Sequence, residues 1–267
     1  MGVMAPDYAA AYRDLVGGLQ QVGIWGRLGI QETRRRYRRT VIGPFWTTIS
    51  MGIFILAAGL VWSTLWRQDL TVFLPYLAAG MITWVMITAL LLEACDCFIK
   101  AEFMLKQISF PYSILVYSLV WRNFIVFLHN MLIFIAVAVF AGIVPSLATL
   151  AVVPALVLVG LNAVWFTLLL GLLCTRFRDL QQLISSLLQV GIFVTPVFWR
   201  PEQITDEFAA LVYLNPLYYM IELVRQPLLG QVAPPEIWLG SIAIAVCGWA
   251  LTLPFYARFR RRLPYWL

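Results

Sequence analysis

The sequence predicts an all-α fold: a polytopic membrane protein with six transmembrane helices, an N-terminal amphipathic helix at the membrane surface, a short horizontal cytoplasmic helix and an outer re-entrant segment. Three observations predict it. Of 267 residues, 62% are hydrophobic and 12% charged, whereas a soluble domain carries about twice that charge and has no core able to hide so much apolar surface. Charges are absent from residues 40–66, 70–92, 123–175, 180–199 and 237–257, and each run but the third matches the roughly 20 apolar residues that cross a bilayer. With both termini cytoplasmic, the inner segments hold 15 of the 19 Lys and Arg residues and the outer segments hold Arg67, Arg200 and Arg225. That asymmetry is the positive-inside bias, and it turns the net charge of +6 into a topology signal rather than a nucleic-acid one.

The elements follow in chain order. Residues 7–39 place Leu15, Leu19, Val22, Trp25, Leu28 and Ile30 at helical spacing among polar residues, which suits a helix lying on the cytoplasmic surface; a cytosolic cap without membrane contact is the alternative. No signal peptide is expected, because residues 1–39 lack an uninterrupted apolar stretch. Arg34, Arg35, Arg36, Arg38 and Arg39 form a basic run that anchors topology and meets anionic lipid, or that meets a pyrophosphate or an acidic partner. Spans are expected at 41–66 and 72–97. Residues 101–111 are short, amphipathic and end at Pro111, as a horizontal helix exposed to a partner would. The long third run breaks at Gly142, Pro145 and Ser146 into spans 113–140 and 149–174. A fifth span covers 180–199 and a sixth 237–257. Between them, 201–235 carries Pro201, Pro216, Pro227, Pro234 and Pro235, which forbid one continuous helix; its apolar middle suits a re-entrant pair buried against protein.

No phosphate-cradling G-x-x-x-x-G-K-[ST] loop is present, so the chain alone is not expected to hydrolyse ATP, and no catalytic residue, cofactor or metal site is expected. Cys95, Cys97, Cys174 and Cys247 lie in or beside apolar runs and read as structural fillers. His129, beside Asn130, is either a structural hydrogen-bonding residue or part of a proton relay. Three ionisable residues fall at a span boundary. If spans two and three run antiparallel, Glu93 and Asp96 both reach the depth of Arg122, forming an intramembrane ion pair that is a structural staple or a polar lining. Lys100, four residues after Asp96, competes for it. Trp62, Trp66, Tyr76, Phe198, Trp199, Tyr218 and Tyr219 cluster near outer span ends, as an interfacial belt or the wall of a carbohydrate channel, while Trp84 lies mid-span where a belt has no use for it.

Several strings carry a family resemblance. ETRRRYRRTVIGPFWTTIS, CTRFRDLQQLISSLLQVGIFVTPVFWRPE and NPLYYMIELVRQPLLG, in this order and spacing, resemble the ABC-2 type polysaccharide export permeases, nearest to those exporting lipopolysaccharide O-antigen. Tyr219 stands where such permeases often have His, which removes any role needing an imidazole. The resemblance implies a homodimer of six-span subunits working with two separate ABC nucleotide-binding subunits, which would bind ATP and Mg. It implies export of an undecaprenyl-diphosphate-linked polysaccharide across the bacterial inner membrane, with no nucleic acid involved. By position, residues 7–39 would be the interface helix, 101–111 the coupling helix and 201–235 the periplasmic re-entrant segment; the arginines at 34–39 would lie at the substrate entrance, and Glu102, Phe103, Lys106 and Phe110 would face the ATPase. Rival expectations are an ABC-2 permease for teichoic acid, capsule or a small drug, a membrane-embedded glycosyl or acyl transferase using Glu93 and Asp96, and a proton-coupled transporter using His129 or Glu93.

Overall fold

Lipid gives apolar helices no hydrophobic reason to pack together, so small residues, polar contacts and shape decide which of them is central. The computed structural model of the chain describes residues 6–38, 43, 45–203 and 211–267; among them it is helical, with no strand. Among the described residues, five stretches are long and apolar enough to cross a bilayer. They are α3 (Phe45–Leu65), α4 (Leu70–Asp96), α6 (Ser113–Ala141), α7 (Val152–Arg176, entered through a 3-10 turn at Leu147–Ala151) and α10 (Pro235–Phe259). The most enclosed of these is α4. It packs against α3, α6 and α7, and against two shorter helices, α8 (Leu180–Val194) and α9 (Pro216–Leu228); Leu77, Ala78, Ala79 and Ile82 at its middle are completely buried.

The helix ends have local causes. Asp69 caps α4 by accepting the Thr71 N–H at 2.8 Å and its hydroxyl at 2.7 Å. Gly142, at φ +69°, closes α6 with its own N–H on the Val139 carbonyl and that of Ile143 on Ala138, a left-handed stop that a side chain resists. Thr195 precedes Pro196 and is therefore extended (φ −87°, ψ 135°), which ends α8. The expected span at 180–199 thus carries a helix of 15 residues, about 22 Å long against a hydrocarbon core of about 30 Å, followed by an irregular passage.

The expected single interface helix over 7–39 is two helices, α1 (Tyr8–Gln20) and α2 (Val22–Tyr37). The Gln21 N–H closes on the Gly18 carbonyl at 3.1 Å instead of continuing the ladder. Packing explains the redirection: α2 runs along α6, with the Trp25 ring 6.3 Å from Tyr117 and 6.1 Å from Trp121. Gly29 permits this approach, since a Cβ there would sit 2.9 Å from the Ser118 carbonyl oxygen. The short helix α5 (Glu102–Gln107) joins α4 to α6 and rests on α11 (Leu263–Trp266), the turn that ends the chain. Helices α1, α2, α5 and α11 therefore gather at one end of the bundle, called the basic end below.

Candidate functional site

At the basic end, Arg122 is the centre of an ion network. Its Nη2 donates to Glu93 Oε2 at 2.7 Å, and its Nη1 pairs with Glu32 of α2. Glu93 also accepts from Arg36 at 2.5 Å and from the Asn123 amide at 2.8 Å. Asp96 is not part of this network; it pairs at 2.9 Å with Lys100, in the 3-10 turn Ile99–Ala101 that follows α4. Lys100, four residues on, is the local partner that spacing offers it. Around these groups lies a cavity of about 500 Å³, lined among others by Arg35, Arg36, Lys100, Glu32 and Glu93.

Arg34, Arg35, Arg36 and Arg38 are exposed on and just beyond the last turn of α2; Arg39 lies outside the described residues. On α5, Phe103 is 72% exposed, whereas Leu105 is buried as the anchor. Lys106 bridges back to Glu102 at 2.6 Å, which holds the Glu102 carboxyl below the usual carboxylate range. Phe110 packs edge-on to Tyr112 at 6.2 Å and faces the core. His129 Nδ1 lies 2.7 Å from the Ile125 carbonyl, one turn back, while Asn130 accepts from Thr48 of α3 at 3.2 Å.

The aromatic candidates at the opposite end form two groups. Trp62 and Trp66 lie 4.9 Å apart, with Phe198 6.1 Å from Trp62. Tyr76, Tyr218 and Tyr219 belong to the second group, around α9; the Tyr76 hydroxyl donates to the Trp199 carbonyl at 3.0 Å, and Tyr218 and Tyr219 are 5.3 Å apart. Trp84 is buried with its ring against Gly191 of α8.

Beneath the second group lies a contact that hydropathy does not announce. Glu222 and Arg225, which read from sequence as charges of an outer segment, are 3% and 0% exposed. Arg225 donates to Glu222 at 2.5 Å and to the Pro196 carbonyl at 2.8 Å, and its guanidinium lies 4.0 Å from the Tyr76 ring centre. Gly80 of α4 supplies the space, because a Cβ there would lie 2.9 Å from Arg225 Cζ. The arrangement satisfies the Pro196 carbonyl that the end of α8 releases. Above it opens a polar pocket of about 180 Å³ lined by Tyr76, Arg200, Glu202, Tyr218, Glu222 and Gln226, among others.

Residues 25–229 match the family model described as ABC-2 type transporter. The chain belongs to the ABC-2 type transporter family. It is 24% identical over 234 residues to the O-antigen export system permease protein RfbA of Myxococcus xanthus, covering 85% of this chain and 89% of that protein. It is 22% identical over 237 residues to a permease of the same name from Klebsiella pneumoniae, covering 86% and 90%. This ABC-2 transporter is accordingly a multi-pass membrane protein.

A third polar node of the transporter also escaped the sequence reading. Asp14 of α1 is buried and accepts the N–H groups of Tyr112 and Ser113 at 2.9 and 3.0 Å, the Tyr256 hydroxyl at 2.7 Å and Arg260 at 2.7 Å. A carboxylate from one helix thus caps the start of another, α6, where backbone N–H groups are unpaired. An Asp on an amphipathic helix reads as solvated, and nothing in its neighbours Arg13 and Leu15 marks it otherwise.

Proposed function

We propose that the chain is the membrane-spanning permease subunit of an ATP-driven ABC exporter that moves an undecaprenyl-diphosphate-linked O-antigen or similar polysaccharide across the bacterial inner membrane. Two copies enclose the pathway and two separate nucleotide-binding subunits bind ATP and Mg. Both termini are cytoplasmic, so the basic end faces the cytoplasm; α8 with residues 195–199 makes the sixth crossing, and 201–235 is the re-entrant periplasmic segment. The arginines at 34–39 receive the lipid diphosphate. The ATPase engages α5 through Phe103, and because α5 joins α4 to α6, its displacement reaches both spans. Glu93 and Arg122 bind α2 to that pair of spans, while Asp96 steadies the end of α4.

The observation that carries the reading is the exposed side of α8. Gln182, Ser186 and Gln189 recur there at helical spacing, all exposed, on a segment that otherwise alternates with exposed Leu183, Leu187 and Val190. Polar groups on an intramembrane helix face a bundle interior or a watered cavity rather than lipid, which suits a helix that meets a second copy around a hydrated glycan path. The names of the relatives point to the same cargo. In cells lacking the chain, lipid-linked glycan should accumulate at the cytoplasmic face and surface polysaccharide should vanish. The triple change Gln182→Leu, Ser186→Leu, Gln189→Leu should stop export while co-purification with the neighbouring ATPase persists. Normal export by that variant refutes the pathway; ATP hydrolysis by the purified chain alone, or unchanged surface polysaccharide without it, refutes the function.

A further inference from the structure

One cavity lies apart from the sites above. About 710 Å³ in volume, it lies at the basic end between the ends of α7 and α10 and the closing turn α11. Its lining changes character along the helix axes. Leu173 of α7 and Phe255 of α10 are the apolar lining furthest inside the spans; Arg176, the last residue of α7, and Arg261 and Arg262, which follow α10, make the lining cationic at the helix ends, and Trp266 lines it too. No carboxylate lines it, in contrast to the Glu93 cavity, where acids and bases neutralise each other. Arg261 is paired with Asp7. Arg176 instead lies over the rings of Phe177 at 5.8 Å and Trp266 at 5.7 Å, and Arg262 over Phe259 at 5.9 Å; among the described residues neither makes an ion pair. An aromatic ring beneath a guanidinium orients it without using its five N–H donors, which are left for an anion in the cavity.

An apolar wall that passes into a cationic rim, at the level where a span leaves the membrane, matches one kind of occupant. We propose that this cavity holds a resident anionic glycerophospholipid of the leaflet at the basic end, its phosphate on Arg176 and Arg262 and one acyl chain along Leu173 and Phe255. The bilayer supplies such lipid at every moment, and basic residues at its surface attract it. The site stands apart from glycan transport and does not depend on it. Arg261 adds charge but is held by Asp7, so the headgroup preference rests chiefly on the other two arginines.

Native mass spectrometry of the full-length chain in a neutral detergent tests this, with phosphatidylglycerol and phosphatidylcholine of matched acyl chains as probes. The first bound phosphatidylglycerol should be held at least about tenfold more tightly than phosphatidylcholine, from two arginines at a charged surface. Arg176→Gln with Arg262→Gln should bring the two lipids within about twofold, and Arg176→Lys with Arg262→Lys should restore most of the preference. Arg178→Gln, an exposed arginine that does not line the cavity, should leave it intact. If the glutamine pair does not fold, Leu173→Trp, which fills the apolar wall without touching charge, should expel the lipid instead. Equal affinity for both lipids in the wild type, or an unchanged preference in the glutamine pair, overturns the proposal. So does an equal loss in Arg178→Gln, which would mean diffuse charge. Tighter retention of undecaprenyl diphosphate than of phosphatidylglycerol would make this a substrate site, and loss of ATPase co-purification with unaltered lipid preference would make it a protein contact; either result also overturns it.

Discussion

Gly80→Ala places one methyl group where the Arg225 guanidinium now lies. The added Cβ overlaps Nη2 and sits 2.9 Å from Cζ and 3.1 Å from Nε. Ordinarily a flexible side chain would yield, but Arg225 is fully buried and held on three sides by Glu222, the Pro196 carbonyl and Tyr76. Any shift that clears the methyl lengthens the 2.8 Å bond to Pro196 or the 2.5 Å pair with Glu222. Breaking a buried pair costs about 3–5 kcal/mol, and replacing Gly by Ala within a helix offsets about 1 kcal/mol of that. The net expected loss is about 2–4 kcal/mol, localised where α9 and the end of α8 meet α4. A double-mutant cycle isolates the cause: thermal unfolding of the purified transporter is followed for Gly80→Ala alone and in an Arg225→Met, Glu222→Gln background, with Gly26→Ala as the control. No atom lies within 4 Å of a Cβ at Gly26, so that variant should match or exceed the wild type. Gly80→Ala should be nearly neutral once the guanidinium is gone. The reasoning is refuted if Gly80→Ala is neutral in the wild type, or equally harmful in both backgrounds.

Asp14→Ala should cost about 3–5 kcal/mol by leaving Arg260 without its buried partner; hydrogen exchange over residues 8–20 should rise markedly while α4 stays protected. Arg122→Ala removes the cation between Glu32 and Glu93 and leaves Glu93 to Arg36 and Asn123 alone, which should cost about 2–3 kcal/mol, whereas Glu93→Gln keeps a neutral hydrogen-bonding group there and should cost about 1–2 kcal/mol; the order of their melting temperatures checks this. The Ala10 N–H and, further out, Arg261 hold the Asp7 carboxyl below the usual carboxylate range. Because the folded value is depressed, its contribution is complete above the unfolded value of about 3.9 and lost as pH falls through the lower folded one; exchange at the start of α1 should rise only in that acid window, and Asp7→Asn should abolish the pH dependence. Phe103→Ala, at a position 72% exposed, should leave melting unchanged yet weaken co-purification with the ATPase, measured by pull-down from the same membranes.

Five of the six expected spans were legible because hydropathy and the absence of charge are properties of contiguous sequence, and the left-handed stop at Gly142 needs only a glycine in the right place. Tertiary azimuth was not legible. Matching residues across an antiparallel pair of spans gives depth alone, which let both Glu93 and Asp96 reach Arg122; the competing partner four residues on, Lys100, was the sequence signal that set Asp96 apart, and it is the pairing found. Glu32 and Arg36 were missed as partners because α2 was read as lying on a membrane surface, when Gly29 lets it press against α6. The burial of Glu222 and Arg225 did leave a trace: two opposite charges three residues apart within MIELVRQPLL, with apolar neighbours on both sides. Positive-inside counting treats each charge as solvated and therefore passes over such a pair.

These three nodes share a physical role. Each joins a segment outside the five long spans to the bundle: Asp14 fastens α1 to the start of α6 and the end of α10, the Arg122 network fastens α2 to α4 and α6, and Arg225 fastens α9 and the irregular passage after α8 to α4. A short helix beside a bilayer gains little from apolar burial against its neighbours, since lipid serves its apolar face as well as protein does. A charged group there has no such alternative, because leaving its partner means an unpaired charge in a low-dielectric site. Hydropathy therefore decides which parts of this transporter cross the membrane, and a few buried charges decide where the remaining parts are held. The same logic makes these joints stiff yet separable: a change at any one of them should release its own segment first and leave the packed α4, α6 and α7 in place.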